Sequence, residues 1–371
     1  MSATTDLMLF GTGEFAGRLL FDIAASATEP VDVAIVGRNE PRLDWLRTAA
    51  NARAVIFGRP ARFRTIQCAD FEVETVAGVL ARAQPRVVVQ TASLQTASVL
   101  RSTDDAWSRL VATGGLSATA AFQAVLSLKI GQALQSATPN ARYINACFPD
   151  VTNGLLRAAG VPVLCGVGNV AILASAFAGV ADARQPGRLK MLAHYQQLAP
   201  WRRVPGERSG SVPRVWLDDR EIPDVAARFR DTMLSPQTAF DISGATGVPL
   251  VLALAAGRRW VGHVPGPDGL PGGYPVRVDE GGTMTLDLPA GLRRDEAIAW
   301  NERFEADSGL IIDAQGRAVY TGRLLEQLSQ ADAALAQGFD PREVEQAARQ
   351  LAVLRDRLQA QPAQSPGTPA R

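Results

Sequence analysis

The run Leu7-Met8-Leu9-Phe10-Gly11-Thr12-Gly13-Glu14-Phe15-Ala16-Gly17 constrains the fold more than any other part of the chain. An apolar β-type segment enters a glycine turn, and a helical pattern leaves it. The spacing is G-x-G-x-x-[GA], with Ala16 in third place and Gly17 one position later. Gly11 permits a tight turn, Gly13 lets backbone come close to a diphosphate, and Ala16 and Gly17 let the helix lie close to a sheet. The free N–H groups and dipole at the helix start favour phosphate. A glycine-rich turn in an α/β protein that binds nothing has the same local form, so the pattern of the neighbouring elements decides its meaning.

Beyond the turn the chain alternates. Continuous apolar strands are predicted at 7–10, 31–36, 63–68, 86–90, 142–145 and 162–164, with helices near 15–26, 41–50, 73–83 and 120–137. Uninterrupted apolar strands between helices indicate a parallel sheet covered on both faces. The expected class is α/β: an N-terminal Rossmann-type doubly wound parallel sheet with a C-terminal α+β domain. We place a dinucleotide-binding domain at 1–160, an α+β substrate and dimerisation domain at 161–360, and a disordered tail at 361–371. Within the second domain a strand is predicted near 189–194, helices at 225–233, 236–257, 293–306 and 322–360, a Gly/Pro loop at 262–273, and a hairpin over 274–288 turning at Glu280-Gly281-Gly282. The stretch 158–181 carries no charge, but its glycines and Pro162 divide it into a strand, a turn and a small-residue helix rather than a membrane span.

Thirty-eight basic against 37 acidic residues give a net charge of +1, which offers no general attraction to nucleic acid or to an anionic membrane. Cys68, Cys147 and Cys165 are too few for a disulfide framework, and the N-terminus has no basic leader before its first strand, so a cytoplasmic setting is expected. The expected partner is a small-molecule substrate, and the long apolar helix at 236–257 suggests a homodimer.

Phosphates of a dinucleotide would lie against Gly11, Thr12, Gly13, Glu14, Phe15 and Ala16. The second strand ends in Arg38 and Asn39 instead of the acidic residue that holds a ribose hydroxyl, and an arginine there suits a 2′-phosphate. NADP is therefore expected before NAD. The fourth strand ends in Thr91, Ala92 and Ser93, small residues that allow the cofactor ribose to approach. Arg38 as a solvated loop arginine remains the plain alternative.

The order helix, Pro139-Asn140-Ala141, strand, Asn145, Pro-containing turn, Thr152, helix, then a strand ending at Cys165-Gly166 resembles the lactate/malate dehydrogenase superfamily, which includes the NAD-dependent glycosidases. The segments at 235–261 and 274–309 resemble its long small-residue helix and closing hairpin with helix. The resemblance implies an NAD(P)-dependent oxidoreductase. It places Asn145 near the nicotinamide ribose and substrate, and His194 where the family carries the histidine that exchanges a proton with substrate. It also offers Cys165 with His194 as a glycosidase-like metal pair, although two ligands are too few to infer a metal. The Asp and Arg expected after Gly166-Val167-Gly168-Asn169 are missing, so His194 lacks its usual partner carboxylate and a substrate carboxylate lacks its clamp. Lactate or malate is disfavoured, and a small polar alcohol, ketone or imine is expected. The alternatives are a metal-dependent glycosidase or lyase and a non-catalytic dinucleotide-binding protein. Asp150 and Asn153 could orient substrate, with a helix cap the simpler role for Asp150. Tyr195 and Lys190 are secondary acid–base candidates, and His263 falls in the Gly/Pro loop.

Overall fold

The structure is a computed structural model and describes residues 5–95 and 105–361. Its first half runs β1 (Leu7–Phe10), α1 (Glu14–Ser26), β2 (Val31–Gly37), α2 (Glu40–Ile56), β3 (Ala61–Gln67), α3 (Val73–Ala83), β4 (Val87–Gln90), α4 (Ala106–Gly114), α5 (Ala120–Ala137), β5 (Arg142–Asn145), α6 (Val151–Ala158) and β6 (Val163–Cys165). These strands form one parallel sheet of six in the order β3-β2-β1-β4-β5-β6. The order reverses beside β1, and Phe10 lies between Val36 and Gln90 in register. Such a reversal leaves a crevice at the carboxyl edge of the sheet, where doubly wound folds bind ligands.

Side chains of β1 alternate between the two faces, as the period of a strand requires. Met8 and Phe10 enter a core with α3 and α5, while Leu7 and Leu9 enter another with α1 and α2. The uncharged stretch read as strand, turn and helix is β6 followed by α7 (Val170–Val180). The sixth strand thus lies beyond the boundary expected at residue 160, because its pairing with β5 completes the sheet.

The second half adds β7 (Leu189–Leu192), β8 (Arg214–Leu217), β9 (Arg220–Glu221), α8 (Val225–Arg228), α9 (Pro236–Ser243), α10 (Val248–Ala255), β10 (Trp260–Pro265), β11 (Gly273–Val278), β12 (Met284–Leu286), α11 (Arg294–Asp307), β13 (Leu310–Ile312), β14 (Ala318–Tyr320), α12 (Gly322–Ala331) and α13 (Val344–Gln359). It contains two antiparallel three-stranded sheets, β7-β8-β9 and β10-β11-β12, and the pair β13-β14. It also returns to the first half: α10 supplies Val251 and Leu254 to the core under Leu7 and Leu9, and α13 supplies Leu351 and Leu354 to the core that holds α5.

Four of the expected elements take another form, and α4, β13 and β14 were not expected. The helix expected at 236–257 is two helices with a tighter turn at Ala245–Gly247, beside a Gly244 whose absent Cβ would come within 3.0 Å of Arg18 Cβ. By length and composition Pro236–Ala255 would be apolar enough to span a membrane, but α10 is packed inside the fold. The apolar surface invoked for dimerisation is thus largely internal, and exposed Val55, Ile56 and Phe57 lie at the end of α2 instead. The Gly/Pro loop begins as β10, the helix expected at 322–360 divides into α12 and α13, and α8 is shorter than expected. The tail at 361–371 lies, apart from residue 361, outside the described residues.

Candidate functional site

Gly11 has φ +121°, and a Cβ there would come within 2.2 Å of Thr91 Oγ1. Only glycine fits, since both backbone conformation and space exclude a side chain. Thr91 in turn donates its hydroxyl to the Phe10 carbonyl at 2.8 Å, so it fastens the turn to β4. Gly13 has φ −72° and stands at the N-cap of α1 with no side-chain cap. No atom lies within 4 Å of where its Cβ would be. The first N–H groups of α1 are thus left without a side-chain cap among the described residues, the arrangement that suits phosphate. Gly37 at the end of β2 completes the approach, because a Cβ there would meet the Thr12 methyl at 2.5 Å.

Ala16 is buried beneath the turn, Phe15 is half-buried, and Glu14 is exposed with Arg18 at 3.6 Å. Arg38 is exposed, with its guanidinium 5.9 Å from the centre of the Phe71 ring. Asn39 is engaged elsewhere, since its side chain accepts the Arg42 N–H at 2.9 Å and caps α2. Arg42, which sequence reading passed over, donates from Nε to the Thr12 carbonyl at 2.9 Å and stacks on Trp45 at 4.2 Å. After β4, Ala92 exchanges two hydrogen bonds with the buried Gln90 side chain, and Ser93 donates to the Gln95 carbonyl. Both residues are partly exposed.

Asn145 is not available to a substrate in this structure. It is 1% exposed; its Oδ1 accepts from Ser127 Oγ at 2.9 Å and from the Cys147 N–H, and its Nδ2 donates to Asn153 Oδ1 at 2.8 Å. The side chain holds α5, β5 and α6 together at the root of the loop that carries Asp150. Asn153 serves the same network.

His194 follows β7 and is wholly buried. Its Nε2 lies 2.9 Å from Glu305 Oε2 on α11. The Gln196 N–H points at Nδ1 at 3.4 Å, so Nδ1 is the acceptor and Nε2 carries the proton toward Glu305. Tyr195 lies beside it, with ring centres 4.4 Å apart. The Tyr195 hydroxyl is hydrogen-bonded with Ser117 and Ser308, and burial, aided by the Glu305 charge, pushes its ionisation upward. Asp150 completes the cluster. Its side chain makes no cap to α6 and instead accepts from the Asn169 amide. Burial pushes its carboxyl up to about 7, with His194 and the Asn169 bond opposing and the Glu305 charge assisting. Asn169 has φ +43° and ψ −104° at the start of α7, a backbone conformation that L-residues rarely hold.

Sequence reading named His194 as a candidate but not its partner Glu305. The buried residues of α11 are Ala297, Asn301 and Glu305, at successive intervals of four. That spacing puts them on one face, and two polar residues on the buried stripe of an otherwise charged helix were the available signal. Other candidates lie apart from the cluster. Cys165 is buried in the apolar core with Leu7 and Ile144, and burial raises its thiol. Among the described residues no group of three His, Cys, Asp or Glu side chains is arranged for a metal ion. Lys190 bonds Asp219 at 3.0 Å beside Asp287. His263 lies on β10 and is pushed down to about 4 by burial, with the Asp287 charge opposing.

No family model matches the sequence, and no curated protein matches it. Solved structures do match in shape. The apo malate dehydrogenase from Picrophilus torridus superposes with a TM-score of 0.53 at 12% identity, over 82% of this chain and 95% of that one. The lactate dehydrogenase from Cryptosporidium parvum, described in complex with lactic acid and β-nicotinamide adenine dinucleotide, gives 0.51 at 16% identity over 82% and 96%. The malate dehydrogenase from Salinibacter ruber gives 0.50 at 15% identity over 81% and 94%. The chain thus has the Rossmann-type fold of the malate and lactate dehydrogenases, in a strongly divergent form.

Proposed function

We propose that the chain is an NADP-dependent oxidoreductase that moves hydride between the nicotinamide and a small polar alcohol, ketone or imine. The observation that carries this reading is Gly13, which leaves the amino end of α1 open at the point where the strand order reverses. The residues there fit a dinucleotide: a glycine cradle, uncapped N–H groups, and two arginines after β2, Arg38 in the turn and Arg42 in the first turn of α2. Arg42 is held against the Thr12 carbonyl, and exposed Arg38 stands four residues before it. Together they suit the 2′-phosphate that distinguishes NADP. The bound coenzyme supplies the hydride carrier. The likeness to a lactate dehydrogenase described with a nicotinamide dinucleotide supports the same crevice here.

In this reading the His194–Glu305 pair holds the proton that accompanies hydride transfer, and the free Glu305 Oε1 is the atom that would exchange it with substrate. Glu305 orients the ring, and Asp150 offers a second acid–base group beside it. Asn145 holds the loop. The test is a binding titration of the purified chain with NADPH and NADH. Tighter binding of NADPH is expected. Tighter NADH would overturn the role given to Arg38 and Arg42, and no binding of either would overturn the reading as a whole.

A further inference from the structure

We infer that the substrate of the His194 site carries a primary or secondary ammonium group, held between the Asp150 and Glu305 carboxylates. This rests on the reading of the cluster as the reaction site and extends it to the class of substrate.

The first ground is charge. The charged groups acting on Asp150 are His194 and Glu305, and neither lysine nor arginine is among them. Two carboxylates thus share one imidazole in a buried setting, where charge interactions are screened much less than in water. A carboxylate ligand would add repulsion. The positions after the Gly166-Val167-Gly168-Asn169 turn are Val170, Ala171, Ile172 and Leu173, so no arginine receives an anion there.

The second ground is hydrogen bonding. Among the described residues, Asp150 Oδ2 and Glu305 Oε1 are both buried and both lack a donor, although the other oxygen of each carboxylate has one. Each residue is 5% exposed. A buried acceptor left without a donor is costly, and two in one cluster call for a ligand, ion or ordered water to meet them. An ammonium supplies both the missing N–H donors and the missing positive charge, whereas an alcohol supplies one donor and no charge.

The third ground is the wall. Tyr195 packs edge-on against Phe148 with ring centres 5.0 Å apart, and both side chains are partly exposed beside the cluster. Aromatic faces next to carboxylates attract organic cations.

The experiment compares three probes of similar size, isopropylammonium, isopropanol and isobutyrate. Calorimetry follows each with the full chain, with and without NADPH, at about pH 8, where an exposed alkylamine is still protonated. Isopropylammonium is expected to bind at least about tenfold more tightly than isopropanol, with isobutyrate weakest, in line with the extra strength of charge-assisted bonds. Asp150→Asn and Glu305→Gln are each expected to weaken the amine about tenfold or more while NADPH affinity stays within about twofold. An amine that binds no better than isopropanol, a preference for isobutyrate, or an unchanged amine affinity in both variants would overturn the inference. The NADPH titration is read separately: its failure sinks the oxidoreductase reading, while failure of the amine with NADPH bound sinks only this one. The probe comparison needs no variant, so a substitution that fails to fold does not remove the test.

Discussion

His194 Nε2 and Glu305 Oε2 meet at 2.9 Å, in full burial, from positions 111 residues apart. One comes from the end of β7, the other from the buried stripe of α11. Their contact ties the two parts of the second half to one another, and it supplies the carboxylate partner that the segment after β6 lacks.

A double-mutant cycle measures that contact. His194→Ala and Glu305→Ala should each lower stability by about 1–3 kcal/mol, since each leaves a buried polar group without its partner. The double variant should cost less than the sum, with a coupling of about 1–2 kcal/mol. Urea unfolding of the four proteins checks this, and additive losses would show that the pair is not coupled.

Asp150 gives stability a specific pH dependence. Its carboxyl titrates at about 7 in the folded chain against 3.8 for the ordinary group. Between these values the folded state binds more protons than the unfolded one, so this contribution is complete below pH 3.8 and is lost as pH rises through about 7. The loss is of the order of a few kcal/mol, at about 1.4 kcal/mol per unit. Unfolding midpoints of wild type and Asp150→Asn across that range provide the measurement. A wild-type decline that persists unchanged in Asp150→Asn would assign it to another group.

Gly11 and Gly13 should fail differently when substituted. Gly11→Ala forces a side chain into a left-handed conformation and against Thr91, and should destabilise the fold by about 2–4 kcal/mol. Gly13→Val has an ordinary φ and open space, so it should fold normally and lose coenzyme. Thermal unfolding with NADPH titration separates the two. A Gly13→Val chain that binds NADPH as well as wild type would contradict the placement of the diphosphate.

Arg38→Ser should weaken NADPH by about tenfold or more, the worth of a hydrogen bond to a charged group, and leave NADH within about twofold. Arg42→Ala should do the same and also loosen Thr12, which it holds through the carbonyl. Equal losses for both coenzymes would show that neither arginine reads the 2′-phosphate.

Legibility in the sequence tracked the range of each interaction. β1 was readable to the residue because a buried parallel strand is continuously apolar, and β5 because its Tyr143-Ile144 pair follows a Pro139-Asn140 turn. Gly11 and Gly13 were readable because their spacing reflects local geometry. β13 and β14 have three residues each, too short to carry a period, and were missed. The break between α9 and α10 falls where Pro249 removes an N–H and crowds the Ala245 carbonyl, and Gly244 there comes close to α1. Asn145 stood where a resemblance suggested it, but the Ser127 and Asn153 partners that occupy it belong to other elements. Glu305 was harder to see, since its only local mark is the spacing of four from Ala297 and Asn301, and its partner His194 lies on another element.

The packing of α13 against α5 has a consequence for biosynthesis. The outer side of α5 stays incompletely covered until residue 359 has left the ribosome, so this half of the molecule cannot finish folding before α13 has emerged. It must wait, with apolar surface showing, for α13 to be made, and chaperone demand should persist until that helix has emerged.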